Sequence, residues 1–493
     1  MIEGGLAGLS AAGALAERGL AVTLFEREPH LGGKCAGWQE EVDGERVDVD
    51  HGFHAFFHHY YNLNAFLGRV GLDAALRPID DYLIQERDGK RWRFADVDPT
   101  PVLNLAALAR AGLYRIRDIV LSRARDPMGV FLEYDEPATF ALLDDVSYAR
   151  FAREAELPRA LRLVFNTFAR AFFAAEDRLS MAELVKSFHF YYLSHDRGLL
   201  YRHLEGTYRE AFIAPIARHL EAQGVELRVG VGVDALAPAD EGLTVDGERF
   251  DYAVIATTSK GARALLEGSP ELARAAPTLA RQLRSTRASQ RYAVLRAWLD
   301  RPLRDDVPVF VATERAAALD SVTALHRCQA AAADWARERG GAVVELHCYA
   351  VPDAMSPGEV AEALLGELRA HFPELASATV VRRHLQVRDD FTAFHVGMAA
   401  ERPATTTEVP RLTLAGDWVK LPIPAMLMEA AFTSGLYAAN AVLEREGLRR
   451  HAVDSVPLRG LLAPLGRRRL ERQARRRARD AVDPRTTEAA PQR

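Results

Sequence analysis

Near the amino end of the chain, Leu9, Ala12, Leu15 and Ala16 recur at helical spacing and form a small apolar face. This predicts a close-packed helix ended by Gly19. The apolar run Ala21–Phe25 predicts a strand, and Val47–Asp50 a second, shorter one. Over residues 99–125, Leu105, Leu108, Leu113, Ile116 and Val120 mark one side of a helical region. Arg110, Arg115, Arg117, Arg123 and Arg125 surround the other. Asp144 to Leu200 reads as mostly helical, with aromatic clusters at Phe165, Phe168, Phe172 and Phe173 and again over Phe188–Tyr192. From Tyr208 the pattern is α/β: a helix over 209–222, a strand over Val225–Val229, and a continuation or neighbouring strand over Val231–Leu236. Asp246-Gly247 between Leu243–Val245 and Glu248–Phe250 predicts a hairpin, and Tyr252–Ala256 a short buried strand. Residues 261–380 alternate helices with strand runs at Tyr292–Leu299, Val307–Ala312 and Val343–Tyr349, the pattern of a sheet-containing second domain. A strand at Leu412–Ala415 and a helix over 425–440 follow.

The first helix sits in a recognisable context. Gly4, Gly5 and Gly8 precede and open it, and Glu26 ends the strand after it, as in a dinucleotide-binding βαβ unit. Gly5 lets backbone approach a pyrophosphate, Gly8 lets the helix pack close on the sheet, and Glu26 suits ribose hydroxyls rather than a 2′-phosphate. Two features depart from the pattern. Glu3 stands where the first glycine belongs, and only Met1 and Ile2 precede it in place of a first strand. The expectation is an amino terminus assigned or cut a few residues late. Gly32-Gly33 adds a tight turn whose amides can face a phosphate, Lys34 adds a positive charge, and Asp50-His51-Gly52 is a second close-approach turn. Gly230-Val231-Gly232 is not a second fingerprint, because Pro238 follows too soon for the required helix. A nicotinamide partner is therefore not expected.

Composition narrows the class. The 493 residues can bury a large core in two interleaved domains, and no apolar run has the length of a membrane span. Cys35, Cys328 and Cys348 are too few and scattered for a disulfide framework or metal site, so no metal is expected and a reduced, cytoplasmic compartment fits. Residues 467–479 carry eight arginines against Glu471, so the rest of the chain is more acidic than the net charge of −5 suggests. This segment reads as a solvated tail or helix. Together with the basic amphipathic 99–125 region it suggests peripheral contact with the inner face of a membrane. Nucleic acid is not expected.

The order of the motifs resembles the FAD-dependent amine oxidase and phytoene desaturase superfamily. The fingerprint ends at Glu26, Gly32-Gly33-Lys34 follows, and Ala415-Gly416-Asp417 precedes a Met428-Glu429-Ala430-Ala431 helix carrying Ser434-Gly435. The resemblance implies an α/β fold: a Rossmann-like FAD-binding domain of the GR2 or amine oxidase type, interleaved with an α+β substrate domain. The FAD-binding parts would be 1–95, 206–260 and 386–450. Residues 96–205 would form a helical region facing substrate and membrane, 261–385 the substrate-domain sheet, and 451–493 a basic tail. It further implies that Gly4, Gly5 and Gly8 approach the pyrophosphate and that Glu26 takes the adenosine ribose. Gly32, Gly33, Lys34 and Gly52 would lie along the phosphate and flavin, and Val233 would offer backbone to the adenine. Gly416 and Asp417 would hold the ribitol or pyrophosphate, with Met428 at the helix start facing the flavin pyrimidine. That start is partly positive and suits the charge on a reduced flavin.

Within the superfamily, Asp50-His51-Gly52-Phe53-His54-Ala55-Phe56-Phe57 with Tyr60-Tyr61-Asn62-Leu63 is similar to carotenoid β-ring desaturase/methyltransferases, the isorenieratene synthases. The implied activity is hydride removal from a hydrophobic polyene or its β-ionone ring, with ring aromatisation through a methyl shift and proton loss. Aromatic faces can stabilise the positive charge left on the substrate. His54, His58, His59 or Glu429 could accept the proton, Glu429 having the better proximity to flavin. The alternatives are a flavin amine oxidase or protoporphyrinogen-oxidase-like enzyme, and a non-catalytic relative that has lost FAD.

Overall fold

The computed structural model describes residues 1–79, 81, 83–93, 110, 129–157, 159–198 and 200–482. A parallel sheet is assembled from distant parts of the chain in the order Glu226–Val229, Thr23–Glu26, Ile2, Ala253–Ile255 and Leu412–Leu414. The first strand, of which the sequence leaves only Met1 and Ile2, is reduced to Ile2, which is nevertheless paired on both sides. The Ile2 amide donates to the Val254 carbonyl at 3.0 Å, the Ala256 amide to the Ile2 carbonyl at 3.0 Å, and the Glu3 amide to the Phe25 carbonyl at 2.7 Å. Paired backbone groups hold this short segment in register.

Helix Leu6–Ala16 packs against helix Leu427–Arg445. A glycine makes the approach possible, since a Cβ on Gly435 would fall on the Ala7 carbonyl, while a Cβ on Gly8 would strike the Glu3 carbonyl of the turn that precedes its own helix. Ser10 Oγ donates across the helix pair to the Phe432 carbonyl at 2.7 Å. The predicted hairpin forms, with Asp246 and Gly247 both at positive φ (46° and 85°), as a tight two-residue turn requires.

The second domain contains a seven-stranded sheet in the order Val380–Arg388, Tyr292–Leu299, Ala342–Cys348, Ser321–Ala324, Phe310–Thr313, Leu83–Gln85 and Arg91–Arg93. Its pairings are antiparallel except Leu83–Gln85 with Phe310–Thr313. Strands Tyr292–Leu299 and Ala342–Cys348 are buried at every position. Leu295, Leu299, Val344 and Leu346 pack in one core with Val360, Leu364 and Leu368 of helix Pro357–His371. Because side chains alternate along a strand, the opposite face carries Tyr292, Val294, Glu345 and His347.

Several expectations change. Residues 231–235 form no strand, and the next strand is Leu236–Ala239, because Pro238 and Ala239 pair with Leu243 and Gly242 of the hairpin instead of extending the parallel sheet. The expected FAD-binding segment 1–95 is not one unit, since Leu83–Gln85 and Arg91–Arg93 join the seven-stranded sheet. Of the expected 99–125 helix, all but Arg110 lies outside the described residues. The arginine-rich segment belongs to helix Ala463–Val482 and is anchored at its beginning: Arg467 Nε lies 2.6 Å from Asp135 and Arg469 Nε 3.0 Å from Glu133.

Candidate active site

A cavity of about 630 Å³ runs from the glycine turns of the parallel sheet to the seven-stranded sheet. At one end it is lined by Glu3, Gly5, Glu26, Gly32, Gly33 and Lys34. Gly32 and Gly33 have φ of 113° and 53°, and a Cβ on Gly33 would lie 3.1 Å from the Gly5 Cα, so the two turns touch where a side chain would intrude. Helix Leu6–Ala16 starts here at Gly5, and helix Leu427–Arg445 starts at Leu427, whose φ of 51° is unusual for a branched residue. Two helix amino ends, with their free amides, therefore face one cavity. Lys34 Nζ donates to Asp417 Oδ2 at 2.7 Å and lies 4.2 Å from the centre of the Phe391 ring. Thr392 Oγ1 donates to Asp417 Oδ1 at 2.9 Å. Gly416, at φ 138°, donates its amide to Ser434 Oγ at 2.7 Å.

Glu26 is buried, accepting the Gly4 amide at 2.8 Å and the Glu28 amide at 2.8 Å on its two oxygens. Glu3, at φ 79°, occupies the left-handed conformation for which the fingerprint uses glycine. Burial, then the neighbouring Glu26 carboxylate, pushes the Glu3 carboxyl up to about 8, so at neutral pH it presents a proton rather than a charge. The residues present thus fit a flavin dinucleotide: a glycine cradle, two helix starts, the Lys34 ammonium and a neutralised carboxyl. Met428 lines the cavity, with Cys35 Sγ 3.5 Å from its sulfur, and Gly52 lines it at φ 145°. Gly416 lines the cavity beside Asp417, whereas Gly4 and Gly8 lie behind the lining, where a Cβ would meet Leu31 and the Glu3 carbonyl respectively. Val233 is buried in the core with Ile2 and Phe25, and its carbonyl accepts from Arg27 at 3.5 Å.

The expected proton acceptors separate. Glu429 turns away from the cavity. It accepts the Asn62 amide at 2.9 Å, Asn62 Nδ2 at 2.8 Å and the Leu63 amide at 3.1 Å, and so ties the start of helix Tyr61–Val70 to its own helix. Burial raises it to about 7 against those bonds. Its carboxyl is committed to structure, which corrects the proton-accepting role expected from its proximity to flavin. His58 is half-buried and stacks on His195, with ring centroids 6.3 Å apart, away from the cavity lining. His59 is buried among Phe57, Phe190 and Tyr191. His54 does line the cavity. Its Nδ1 has no hydrogen-bond partner, and burial, then His51 nearby, lowers it to about 4.

The opposite wall carries groups that sequence spacing did not bring together. Tyr292 OH donates to Asp390 Oδ1 at 2.7 Å and lies 3.3 Å from His51 Nε2, which is 3.6 Å from Asp390 Oδ2. Burial works to raise Asp390, but His51, Tyr292 and Lys34 outweigh it and hold it below the usual carboxylate range. Deeper, Arg296 bridges Asp50 at 3.3 Å and Glu345 at 3.2 Å, and His347 Nε2 lies 2.9 Å from Glu345. Burial opposes the charge on Glu345, yet His347 and Arg296 bring it down to about 2. Phe173, Tyr349 and Phe391 complete a ring-lined pocket, with Phe173 and Phe391 centroids 4.0 Å apart. The polar alternation Glu345-Leu346-His347 was the readable signal for the deeper group.

The cradle and the cavity beside it define a flavin-dependent oxidoreductase. Residues 6–443 match the model of the flavin containing amine oxidoreductase family, and the chain belongs to that family. More particularly, it is 38% identical to the carotenoid phi-ring synthase of Streptomyces griseus, over 95% of this chain and 92% of that one. It is 28% identical to the carotenoid phi-ring synthase of Chlorobaculum tepidum, over 94% and 91% respectively. Among solved structures, cyclohexylamine oxidase from Brevibacterium oxydans shares the fold, with a TM-score of 0.65 and 17% identity over 90% of this chain and 98% of that one.

Proposed function

We propose that the chain is an FAD-dependent carotenoid desaturase that aromatises a β-ionone ring, through two rounds of hydride and proton loss and one methyl shift. The observation that carries this reading is the aromatic-walled cavity opening directly from the glycine cradle, in a chain aligned over nine tenths of its length with two carotenoid phi-ring synthases. Bound FAD would supply the hydride acceptor. Gly5, Gly32, Gly33 and Lys34 would hold its diphosphate side, and Glu26 its adenosine ribose. The starts of helices Leu6–Ala16 and Leu427–Arg445 would face its negative charge. Phe173, Tyr292, Tyr349 and Phe391 would hold the substrate ring, shut out water and stabilise a cation through their faces.

A hydrophobic polyene suggests delivery from a membrane. Among the described residues no helix is long and apolar enough to cross one. However, Leu458, Leu461, Leu462 and Leu465 are exposed beside the basic helix Ala463–Val482, a combination suited to peripheral contact with anionic lipid.

The test is expression in cells accumulating lycopene, γ-carotene or β-carotene, followed by pigment chromatography. A new aromatic-ring pigment is expected from the cyclic substrates, made by a protein with flavin absorbance near ~450 nm. Unchanged pigments in all three strains with flavin-loaded protein would overturn the reading, and amine oxidation by the same preparation would establish the amine oxidase alternative.

A further inference from the structure

We propose that His51 receives the proton lost in the aromatisation, with Asp390 and Tyr292 as its positioning residues. This rests on the ring-aromatising reading above. All three side chains line the cavity, and their polar atoms converge: His51 Nε2 lies 3.3 Å from Tyr292 OH and 3.6 Å from Asp390 Oδ2, while Tyr292 OH donates to Asp390 Oδ1 at 2.7 Å. An Nε2–H directed at Asp390 leaves Nδ1 as the basic nitrogen. The group adjoins the flavin side of the cavity, because Phe391 underlies Lys34 and Thr392 bonds Asp417. Phe173 adjoins it too, at φ 55°, a conformation bulky residues avoid, and its ring packs on Tyr292 at 5.0 Å and on Phe391 at 4.0 Å. A substrate ring held against these faces would have its charge stabilised beside the base.

The other cavity histidines are poorer acceptors. A proton on His54 would be opposed by burial and by His51, which hold it down to about 4 against the pull of the Gly52 backbone and Glu345, and its Nδ1 has no hydrogen-bond partner. His347 has Glu345, but Arg296 already balances that carboxylate at 3.2 Å. Burial, with Arg388 and Lys34, outweighs the pull of Asp390 and holds His51 below the usual imidazole range, which leaves the ring neutral with a free lone pair at neutral pH.

In the step itself a ring C–H bond of the cationic substrate breaks. Its electron pair becomes the new C=C bond, and the proton joins the imidazole lone pair to give an imidazolium paired with Asp390. Bound FAD would accept the hydride lost before this proton, and oxygen or a quinone would take up the electrons. A β-ionone ring loses two hydrides and two protons on the way to the arene, so the sequence runs twice per ring, and His51 takes the proton of the round that includes the methyl shift.

The test uses flavin-loaded full-length protein and β-carotene in detergent, with His51→Gln and Asp390→Asn. Anaerobic mixing follows flavin bleaching, and turnover with oxygen or a soluble quinone follows aromatic product. Product formation is expected to fall about 100-fold in His51→Gln, the usual reach of a positioned base, while bleaching slows far less. The acid limb of the product pH profile should vanish in that variant. Independently of turnover, ¹⁵N-histidine NMR should show the His51 midpoint falling in Asp390→Asn. If His51→Gln loses flavin, Tyr292→Phe keeps the ring packing and should still lower product more than bleaching. Equal loss of bleaching and product, unchanged product, or a His51 midpoint indifferent to Asp390→Asn would overturn the proposal. Wild-type protein that carries flavin but is bleached by no β-ring carotenoid would instead defeat the aromatisation reading.

Discussion

Glu3 shows how one residue can satisfy a backbone requirement poorly and a chemical one conditionally. Its φ of 79° is the conformation the glycine fingerprint needs, and a side chain there costs about 1–2 kcal/mol. Glu3→Gly is therefore expected to raise the unfolding free energy in urea by about 1 kcal/mol and to tighten flavin binding, measured by fluorescence of released flavin. The carboxyl carries a separate pH signature. Its pKa is raised to about 8 in the folded protein from an ordinary value near 4.5, so the folded state keeps a proton that the unfolded state has lost. Between those values stability falls as pH rises, and the penalty is complete above about 8. Melting curves should show Glu3→Gln flattening that decline. An unchanged slope would place the titration elsewhere.

At the scale of elements, the pairing of helices Leu6–Ala16 and Leu427–Arg445 brings two partly positive helix starts to one cavity. Gly435 is the point of closest approach, where a Cβ would fall on the Ala7 carbonyl and another contact, Ser10 Oγ, lies 2.9 Å away. Backbone cannot yield as a flexible side chain can, so Gly435→Ala must separate the helices. It should cost about 1–3 kcal/mol, as overpacking does, and reduce the flavin-to-protein ratio of the purified enzyme. Normal stability and full flavin content in that variant would show that the helix contact tolerates displacement. Glu429 works at the same scale, since it binds the two amides that begin helix Tyr61–Val70.

For the whole molecule, the charge asymmetry acquires a place. The arginines of helix Ala463–Val482 are partly spent inside the protein, on Asp135 and Glu133, and so anchor a surface that exposes leucines. Leu461 is 71% exposed and Leu465 42%, and neither exposure serves the core. The paired change Leu461→Glu and Leu465→Glu should weaken sedimentation with phosphatidylglycerol vesicles at least tenfold, since burying each leucine in lipid is worth about 1.5–3 kcal/mol. Melting temperature should stay close to that of the parent. Equal vesicle binding by parent and variant would remove this face from consideration.

Local features were legible because local interactions produce them. The fingerprint, the Asp246-Gly247 hairpin and the helix ended by Gly19 depend on turn conformations and short-range periodicity, and all appear where the residues suggested. The motifs at the two ends also identified the family, because a cofactor cradle needs particular small residues at particular spacings. Other assignments depended on which faces meet. On helix Leu427–Arg445, Glu429 adjoins Met428, but one residue is about a 100° turn, so one lines the cavity while the other binds Asn62. Tyr292 lies 241 residues from His51 and 98 from Asp390, and no spacing rule joins them. Strands Tyr292–Leu299 and Ala342–Cys348 are buried on both faces, so hydrophobicity alone did not separate the face toward helix Pro357–His371 from the face toward the cavity. The sequence by itself determined the cradle and its class of chemistry. Sheet register and packing decided which carboxylates are spent on structure and brought His51 to the cavity wall beside Asp390, because side-chain direction in a folded interior is a long-range property.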